Sequence, residues 1–322
     1  MFMERFFIST SEKPPVTAMV YALGTFDGVH LGHMQLMREA IKLAHERGAK
    51  AGVYTFDVHP LAVLNPSHAP QLLTSLDDKL KLIEGAGIDI AVVQSFDMAL
   101  AGMSSKGFVE DVLLGTLSAE HVVCGFNYTF GRDGGGTAGE LVTICARHGI
   151  GGTVVPPGAE GGTVVGSTAI RAALADGDVA LAGRLLGRLH FVRGIVERGR
   201  GVGRSLGVPT ANLRLPEEYA IPSSGVYAAR AHWGDRMQAT AVCNIGVRPT
   251  FGDQARGVTC EVHLLDASAD LYGEILAVEF VARLRDEKRF ADPADLRKQI
   301  ASDIEAARTL VDAGVYTQCH LC

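Results

Sequence analysis

The stretch that decides the fold is Gly24-Thr25-Phe26-Asp27-Gly28-Val29-His30-Leu31-Gly32-His33. An apolar run over residues 18–23 leads into it, and a helical pattern beginning at Met34 leads out of it. This order predicts the first strand-to-helix turn of an α/β domain. The glycines allow a tight turn and a close approach of a ligand to the backbone. Two imidazoles then lie at a helix N-terminus, where free N–H groups and the helix dipole favour a polyphosphate.

The same turn has a second interpretation. It lacks the Lys-Ser/Thr ending of a P-loop and the third glycine of a dinucleotide fingerprint. A glycine-rich turn with two incidental histidines therefore stays open on this stretch alone. The remaining sequence has to decide between the two.

Length and composition are those of an ordinary globular protein with room for two domains. The chain has 322 residues, of which 47% are apolar and 20% are charged. A net charge of −6 gives no electrostatic case for binding nucleic acid. No uncharged apolar run reaches the roughly 18 residues of a membrane span, and the N-terminus has no signal-peptide apolar core. We therefore expect a cytoplasmic protein with reduced cysteines.

The six cysteines are scattered along the chain. Cys124, Cys145, Cys243 and Cys260 lie in apolar runs, which favours buried small side chains. The C-x-x-C at Cys319–Cys322 has the spacing of half a zinc site, but no second Cys/His pair matches it. We favour a frayed tail over a metal site there.

The first half of the chain alternates between apolar strand runs and helical patterns. We predict strands over residues 18–23, 51–56, 88–93, 119–124 and 153–155, with helices between them. This alternation is typical of a doubly wound parallel sheet.

The second half changes character after a helical segment that ends near residue 188. Short β-branched runs separated by turns predict an antiparallel barrel or sandwich, followed by a C-terminal helix. We expect two domains, 1–186 and 187–322. The predicted strands are residues 191–196, 225–232, 238–244, 258–264 and 275–280.

Three further segments of the first half come to the carboxyl edge of the predicted sheet, where open α/β sheets bind ligands. His59 follows the second strand, Asn127 follows a later one, and Ser167-Thr168-x-x-Arg171 opens a helix. Hydroxyls and free N–H groups at a helix start bind phosphate oxygens, and a guanidinium binds them bidentately. A helix cap with a surface arginine, a loop histidine and a turn asparagine are the structural alternatives.

A glycine-rich segment opens the second half. Gly199, Gly201 and Gly203 supply N–H groups that can wrap phosphates. Thr210 and Asn212 then offer a hydroxyl and an amide oxygen to a hard cation such as magnesium. The alternative is a β-hairpin loop with surface arginines.

The motifs of the first half resemble a known family. The His-x-Gly-His ending is similar to that of the nucleotidylyltransferases, and the wider Gly-x-Phe-Asp-Gly-x-His-x-Gly-His looks like the N-terminal module of bacterial bifunctional riboflavin kinase/FAD synthetase. Three positions depart from the family pattern. Val58 replaces a proline, Gly166 replaces a serine, and Asn127 stands where many members have an acidic residue.

The second half resembles the kinase module of the same family over nearly its whole length and in family order. That module is a small six-stranded barrel with a C-terminal helix. The strings that carry the resemblance are Gly207-x-Pro209-Thr210-Ala211-Asn212-Leu213, Gly225-Val226-Tyr227, Asn244-Ile245-Gly246-x-Arg248-Pro249-Thr250-Phe251, Glu261-x-His263, Asp270-Leu271-Tyr272-Gly273 and Leu284-Arg285-x-Glu287-x-x-Phe290.

The resemblance implies ATP-dependent phosphorylation of riboflavin to FMN and adenylyl transfer from a second ATP to FMN, giving FAD and pyrophosphate. It implies Glu261 as the general base of the kinase, with Thr210 and Asn212 holding Mg²⁺ and ATP. His30, His33 and Arg171 would be the catalytic groups of adenylyl transfer. The flavin-binding residues would be His59, Pro60, Arg285, Glu287 and Phe290. The ATP-binding residues would be Gly24, Phe26, Asp27, His30, His33, Asn127, Ser167, Thr168, Arg171, Gly199, Gly201, Gly203, Thr210 and Asn212.

Two other functions remain open at this point. One is a riboflavin kinase whose first half has lost adenylyl transfer, because of the departures at Val58 and Gly166. The other is a flavin-binding regulator without turnover, against which an intact Glu261, His30 and His33 argue, since binding alone needs no base. The partners implied are riboflavin, FMN, FAD and ATP, with neither nucleic acid nor membrane. The oligomeric state is left open, a weak homo-oligomer included.

Overall fold

The structure is a computed structural model of the whole chain. It describes residues 2–9, 14, 19–199, 207–234, 237–247, 258–267, 270–288 and 290–314. The chain divides into two compact units, Met1–Ser167 and Thr168–Cys322.

A parallel sheet forms the centre of the first unit. In the described part of that unit six strands pair in the order β1-β4-β3-β2-β5-β8, and each neighbouring pair is parallel. Strands β2, β3 and β4 are added towards one side of the sheet and β5 and β8 towards the other, so the strand order reverses between β2 and β5. The strands are β1 (Glu4–Ile8), β2 (Met19–Leu23), β3 (Lys50–Phe56), β4 (Ile90–Gln94), β5 (Ala119–Gly125) and β8 (Gly151–Val155).

Helices connect these strands. The stretch predicted as a helix over residues 106–117 contains a π-helix, Phe108–Thr116. Short strands β6 (Thr129–Phe130) and β7 (Gly136–Thr137) pair with each other, as do β9 (Ala159–Glu160) and β10 (Thr163–Val164). The helices are α1 (Leu31–Arg47), α2 (Pro60–Leu64), α3 (Leu76–Gly85), α4 (Met98–Ala101), α5 (Ser105–Gly107) and α6 (Ala138–Arg147).

The central strand β2 explains why the sheet lies inside the unit. All five of its residues are buried, as expected for a parallel strand covered on both faces. One face packs Tyr21 and Tyr54 against the π-helix and α6. The other packs Val20 and Val53 against α1 and α3. The residues that follow β2 are therefore held by a rigid core.

The second unit contains a closed barrel. Two helices, α7 (Ser167–Ala175) and α8 (Val179–Leu186), precede it, and α9 (Pro293–Asp312) follows it. The strands pair antiparallel in the order β11-β12-β15-β14-β13-β16, and β16 closes on β11. They are β11 (His190–Glu197), β12 (Ala211–Arg214), β13 (Gly225–Trp233), β14 (Met237–Val247), β15 (Val258–Leu264) and β16 (Ile275–Arg285).

The predicted fold class is confirmed: a doubly wound parallel sheet is followed by a small antiparallel barrel and a C-terminal helix. Two strands of the large sheet and the barrel were not predicted from the residue pattern, β1 at the sheet edge and the four-residue β12, and neither were the two-residue strands β6, β7, β9 and β10. The compact units meet between Ser167 and Thr168, whereas the sequence places the domain boundary at residues 186–189. That boundary stays a prediction about where the two functional modules join.

Helices α1 to α9 and the π-helix all lie within the described residues. None of the helices there is both long and apolar enough to cross a membrane.

Candidate functional site

The first candidate site is built on the turn between β2 and α1, which we call the Gly24–His33 turn. Phe26 and Val29 adopt left-handed backbone angles, with φ of 51° and 39°, and Gly28 has a φ of 82°. Left-handed conformations are costly for residues with a side chain and persist only where the surroundings hold them. Phe26 and Val29 are both fully buried, so core packing supplies part of that hold.

Asp27 connects the turn to the segment that precedes α3. One of its carboxylate oxygens accepts hydrogen bonds from the backbone N–H of Leu73 at 2.9 Å and of Thr74 at 3.3 Å. The Gly28 N–H donates to the Thr74 hydroxyl at 3.2 Å. Gly24 donates its N–H to the Tyr54 carbonyl at the end of β3. The turn is therefore fastened to two neighbouring segments of chain.

His30 and His33 begin α1. The His30 Nδ1 accepts the His33 backbone N–H at 3.2 Å and so caps the helix, which leaves Nε2 to carry the proton of the neutral ring. The two imidazoles stack with ring centres 3.6 Å apart, and the Phe26 ring meets the His33 ring edge-on at 5.1 Å. A Cβ at Gly32 would come within 3.2 Å of the His30 ring. Both imidazoles are thus fixed at the positive end of a 17-residue helix.

Ser167 joins the same turn from far along the chain. Its hydroxyl donates to the Asp27 carbonyl at 3.0 Å. Thr168 is exposed and Arg171 is half-buried, one turn further along α7. A Cβ at Gly166 would meet nothing within 4 Å, so the absence of a serine there is not forced by lack of space. The contact of Ser167 with the turn agrees with its predicted place at the phosphates, a role that stays a prediction for all three residues.

His59 and Asn127 follow the two strands that flank β2. The His59 ring caps α2 by accepting the Leu61 N–H at 3.2 Å, with Pro60 as the first residue of that helix. Asn127 is exposed in the turn after β5. Val58, where the family has a proline, donates its N–H to the Asp57 carboxylate at 2.7 Å, a bond that proline cannot make. Three neighbouring strands therefore deliver the predicted residues to one edge, next to the reversal between β2 and β5.

A group of aromatic rings lies at the same edge and was not predicted. Neighbouring ring centres are 5.1 to 6.0 Å apart. Phe56, Phe96 and Tyr128 are partly buried, whereas the other three rings are buried. The sequence signal was the presence of aromatic residues at strand ends. We call this group the aromatic platform, and it consists of Tyr54, Phe56, Phe96, Phe108, Tyr128 and Phe130.

The second candidate site is a row of polar side chains across three strands of the barrel. Glu261 of β15 lies directly opposite Asn212 of β12 on one side and Asn244 of β14 on the other. All three are half-buried, while the alternating neighbours Cys260 and Val262 point into the barrel. The carboxylate predicted as general base is therefore on the outer face of the barrel between two amides.

Residues from other segments lie close to this row. A Cβ at Gly199 would collide with the Asn212 amide, so a larger residue there would displace that side chain. The Asn244 amide donates to the Glu287 carboxylate at 3.3 Å. Thr210 directly precedes β12. Some predicted positions lie outside the described residues. They are Gly201, Gly203 and the arginines at 200 and 204 of the glycine-rich segment, positions 248–251 of the family resemblance, and the tail Cys319–Cys322.

Arg285 has partners within the protein. Its guanidinium forms a salt bridge with Asp303 of α9, with Nη2 2.8 Å from Oδ2 and Nε 3.1 Å from both carboxylate oxygens. It also lies 6.0 Å from the centre of the Phe290 ring. The salt bridge holds Arg285 against α9. Its predicted contact with the flavin stays a prediction.

Comparison with known families covers both units. The sequence model of the FAD synthetase family matches residues 12–169, and that of the riboflavin kinase family matches residues 186–311. The bifunctional riboflavin kinase/FMN adenylyltransferase of Bacillus subtilis (strain 168) is 38% identical over 89% of this chain and 91% of its own length. That of Escherichia coli (strain K12) is 34% identical over 94% and 95%.

The chain belongs to the bifunctional riboflavin kinase/FMN adenylyltransferase family. A crystal structure titled as a macrolide-efflux protein from Streptococcus pneumoniae is also similar, with a TM-score of 0.86 and 30% identity over 94% of this chain and 99% of that one. The function in that title has no counterpart in the family models that match this chain. The family resemblance drawn from the two sets of motifs is confirmed.

Lys79, like the aromatic platform, was not predicted from the sequence. It lies on the buried face of α3 with Leu80 and Ile83, and its own side chain is buried. A lysine on the apolar stripe of an amphipathic helix was the signal that could have found it.

Proposed function

We propose that this chain catalyses two reactions in sequence, phosphorylation of riboflavin by ATP to give FMN and adenylylation of FMN by a second ATP to give FAD and pyrophosphate. The observation that carries the proposal is the presence of both family regions, at residues 12–169 and 186–311, in one chain that aligns with bifunctional relatives over about nine-tenths of its length. Each unit contains one polar candidate site suited to one of the reactions.

Adenylyl transfer belongs to the first unit. A phosphate oxygen of FMN attacks the α-phosphorus of ATP, the bond to the bridging oxygen breaks, and pyrophosphate leaves with its electron pair. The reaction needs positioning and compensation of negative charge more than covalent help. His30, His33 and the N–H groups at the start of α1 supply that compensation, and Ser167 adds a donor to the phosphates. The family resemblance gives Thr168 and Arg171 the same role.

The flavin of this reaction lies against the aromatic platform. A planar isoalloxazine stacks on partly buried rings, and Phe56, Phe96 and Tyr128 are the partly buried members of the platform. Burial raises the pKa of Tyr128 above its ordinary value and keeps the phenol neutral. His59 and Pro60, which follow β3, lie at the same edge of the sheet.

Phosphoryl transfer belongs to the barrel. Glu261 takes the proton from the riboflavin 5′-hydroxyl. The hydroxyl oxygen attacks the γ-phosphorus of ATP, and ADP leaves. Asn212 and Asn244, which lie opposite Glu261 in the neighbouring strands, orient the carboxylate and the phosphates. A positioned base of this kind contributes about 10² to 10⁴ in rate.

Magnesium would be held by Thr210 and Asn212. Within the described residues no group of three or more His, Cys, Asp or Glu is placed to bind a metal ion, so an all-protein metal site is not expected there. A hydroxyl and an amide oxygen fit Mg²⁺, which keeps waters and shares its sites with substrate phosphates. When bound, the ion neutralises charge on the phosphate oxygens.

Two departures from the family pattern are compatible with a working first unit. The Val58 N–H has an acceptor in Asp57, and the space beside Gly166 is open. This favours the bifunctional reading over a kinase with an inactive first half or a flavin-binding regulator. We also propose a cytoplasmic location, supported by the four buried cysteines at 124, 145, 243 and 260, which are free thiols.

The test is incubation of the full chain with riboflavin, ATP and Mg²⁺, followed by chromatographic separation of the flavins. The proposal expects FMN first and FAD after it, with pyrophosphate released in step with FAD. FMN alone would leave only the kinase, and neither product would leave the non-catalytic regulator.

A further inference from the structure

Lys79 is a buried lysine that neither proposed reaction uses directly. Only 8% of the residue is exposed. Its ammonium donates to the Phe56 carbonyl at 2.7 Å, to the Thr25 carbonyl at 3.3 Å and to the Thr55 hydroxyl at 3.3 Å. All three of its hydrogens are therefore engaged with the ends of two neighbouring strands.

The acceptors lie directly below the first candidate site. Thr25 is the second residue of the Gly24–His33 turn and immediately precedes Phe26, whose backbone is left-handed and whose ring contacts His33. The Thr55 hydroxyl also donates to the Thr25 carbonyl, at 3.1 Å. A single ammonium thus joins the carboxyl end of β3 to the start of the turn that presents the histidines.

The chain leading into α3 supports the other side of the turn. The N–H groups of Leu73 and Thr74 donate to the Asp27 carboxylate, and the Thr74 hydroxyl accepts the Gly28 N–H. Together with Lys79, these groups connect one continuous segment, residues 73–79, to Thr25, Asp27 and Gly28 in the first half of the turn. A displacement of this segment would move His30 and His33 together.

The charge of Lys79 is maintained against burial. Burial lowers its pKa from the ordinary 10.5 to about 8, while the carboxylates of Asp27 in the turn and Asp57 after β3 act in the opposite direction. Asp78, its neighbour on α3, is also buried and accepts a hydrogen bond from the Ser75 hydroxyl. A positive charge in this place lies close to a turn that has to hold a triphosphate.

We propose that Lys79 is a positioning residue for adenylyl transfer: its ammonium joins the ends of β2 and β3 beneath the Gly24–His33 turn and so fixes the two imidazoles at the α-phosphate. The inference rests on the proposed adenylyl transfer. Because Lys79 is buried, it acts through the turn and not by touching either substrate.

The variants that test this are Lys79→Met and Lys79→Arg in the full chain. Methionine has a similar length and no donor, whereas arginine keeps both charge and donors. The matched control is Lys81→Met, an exposed lysine on the same helix. FMN-to-FAD conversion is assayed with kcat and the KM for ATP separated, and riboflavin phosphorylation by the same preparation serves as the internal control.

We expect Lys79→Met to lower kcat for FMN-to-FAD conversion about tenfold to a hundredfold, since a misplacement of about 1 Å costs that much. Riboflavin phosphorylation should stay at the wild-type rate. Lys79→Arg should recover most of the loss, and Lys81→Met should behave as wild type. A Lys79→Met protein with the wild-type kcat and KM for ATP would overturn the inference.

The pH profile of the wild type provides a test that does not depend on how well Lys79→Met folds. We expect kcat for adenylyl transfer to fall as the pH rises through about 8, and Lys79→Arg to lack this fall because a guanidinium stays charged. The contribution of Lys79 to the free energy of unfolding should instead rise with pH. Between pH 8 and 10.5 the unfolded chain keeps the proton that folded Lys79 has released, so the free energy of unfolding gains from Lys79 as the pH rises.

A purely structural lysine would change stability without changing the kcat profile. Identical alkaline limbs in the wild type and Lys79→Arg would therefore overturn the proposal. A wild-type chain that makes FMN but no FAD would contradict the proposed adenylyl transfer itself and remove the basis of the inference. The two failures are distinguished by the wild-type assay.

Discussion

At the scale of single residues, Asp27 within the Gly24–His33 turn and Lys79 beside it form hydrogen bonds to backbone and hydroxyl groups through their charged ends. Asp27 was predicted as an ATP-binding residue, and its carboxylate holds the chain at Leu73 and Thr74. The two imidazoles above it are the groups presented at the helix start. Charge in this unit therefore serves first to shape the turn that carries the reacting groups.

We predict that His190 makes the stability of the barrel depend on pH. It is 2% exposed, and its Nε2 lies 3.0 Å from the Ala220 carbonyl. Burial lowers its pKa from 6.5 to about 4, assisted by the charge of Arg188 and opposed by the bond to Ala220. Between pH 6.5 and 4, His190 is protonated in the unfolded chain and neutral in the folded barrel. The free energy of unfolding should therefore fall by roughly 3 kcal/mol as the pH is lowered from 6.5 to 4.

Urea unfolding followed by the fluorescence of Trp233, the single tryptophan and a residue of β13, measures this in the barrel. His190→Gln cannot titrate and should flatten the acid slope, while the exposed His68→Gln should leave it unchanged. An equal slope in the wild type and His190→Gln would show that another group is responsible.

Single residues differ in how far the sequence reveals them. His30, His33 and Glu261 belong to short motifs and were predicted as site residues. The contacts of Arg285 were not foreseeable, because its partner Asp303 lies on a helix 18 residues further on that packs against the barrel. Local pattern carries no information about such a pairing.

At the scale of elements, long periodic segments were predictable and short ones were not. The buried strand β2 and the amphipathic α1 are evident from the spacing of their apolar residues. Strand β1 lies at the sheet edge and begins with Glu4 and Arg5, so its apolar run is only three residues long. Strand β12 has four residues and follows a glycine-rich segment, yet it closes the barrel between β11 and β15.

Helix α9 is held on the barrel by a buried ion pair. The side chains of Arg285 and Asp303 are 16% and 6% exposed, and Gln299 donates to the same carboxylate at 2.9 Å. Asp303→Asn leaves the guanidinium charge without its partner, which should destabilise the barrel by about 3 kcal/mol. The measurement is urea unfolding monitored at Trp233.

The control for this prediction lies on the same helix. Asp295→Asn removes an exposed carboxylate that is 3.9 Å from Lys298, and it should change the free energy of unfolding by less than about 0.5 kcal/mol. Equal stability of the Asp303→Asn and Asp295→Asn proteins would refute the anchoring role of the pair.

At the scale of the whole molecule, two units with different architectures each match one of the two family models, and we propose one triphosphate site in each. The division of labour between them was predictable because each half carries its own motifs. The aromatic platform was not, because its six rings come from separate segments of the first unit and are assembled only by the fold. The proposed function therefore requires two independent sites in one chain.

The measurement that tests this most directly uses two variants, Glu261→Gln and His30→Ala, assayed separately and then mixed. Glu261→Gln should lose FMN formation by a factor of about 10² to 10⁴ and still convert added FMN to FAD. His30→Ala, like Arg171→Ala, should form FMN and stop there. Mixed, the two proteins should convert riboflavin to FAD, since FMN made by one chain can serve the other. Loss of both activities in either folded single variant, or no FAD from the mixture, would contradict two separate sites.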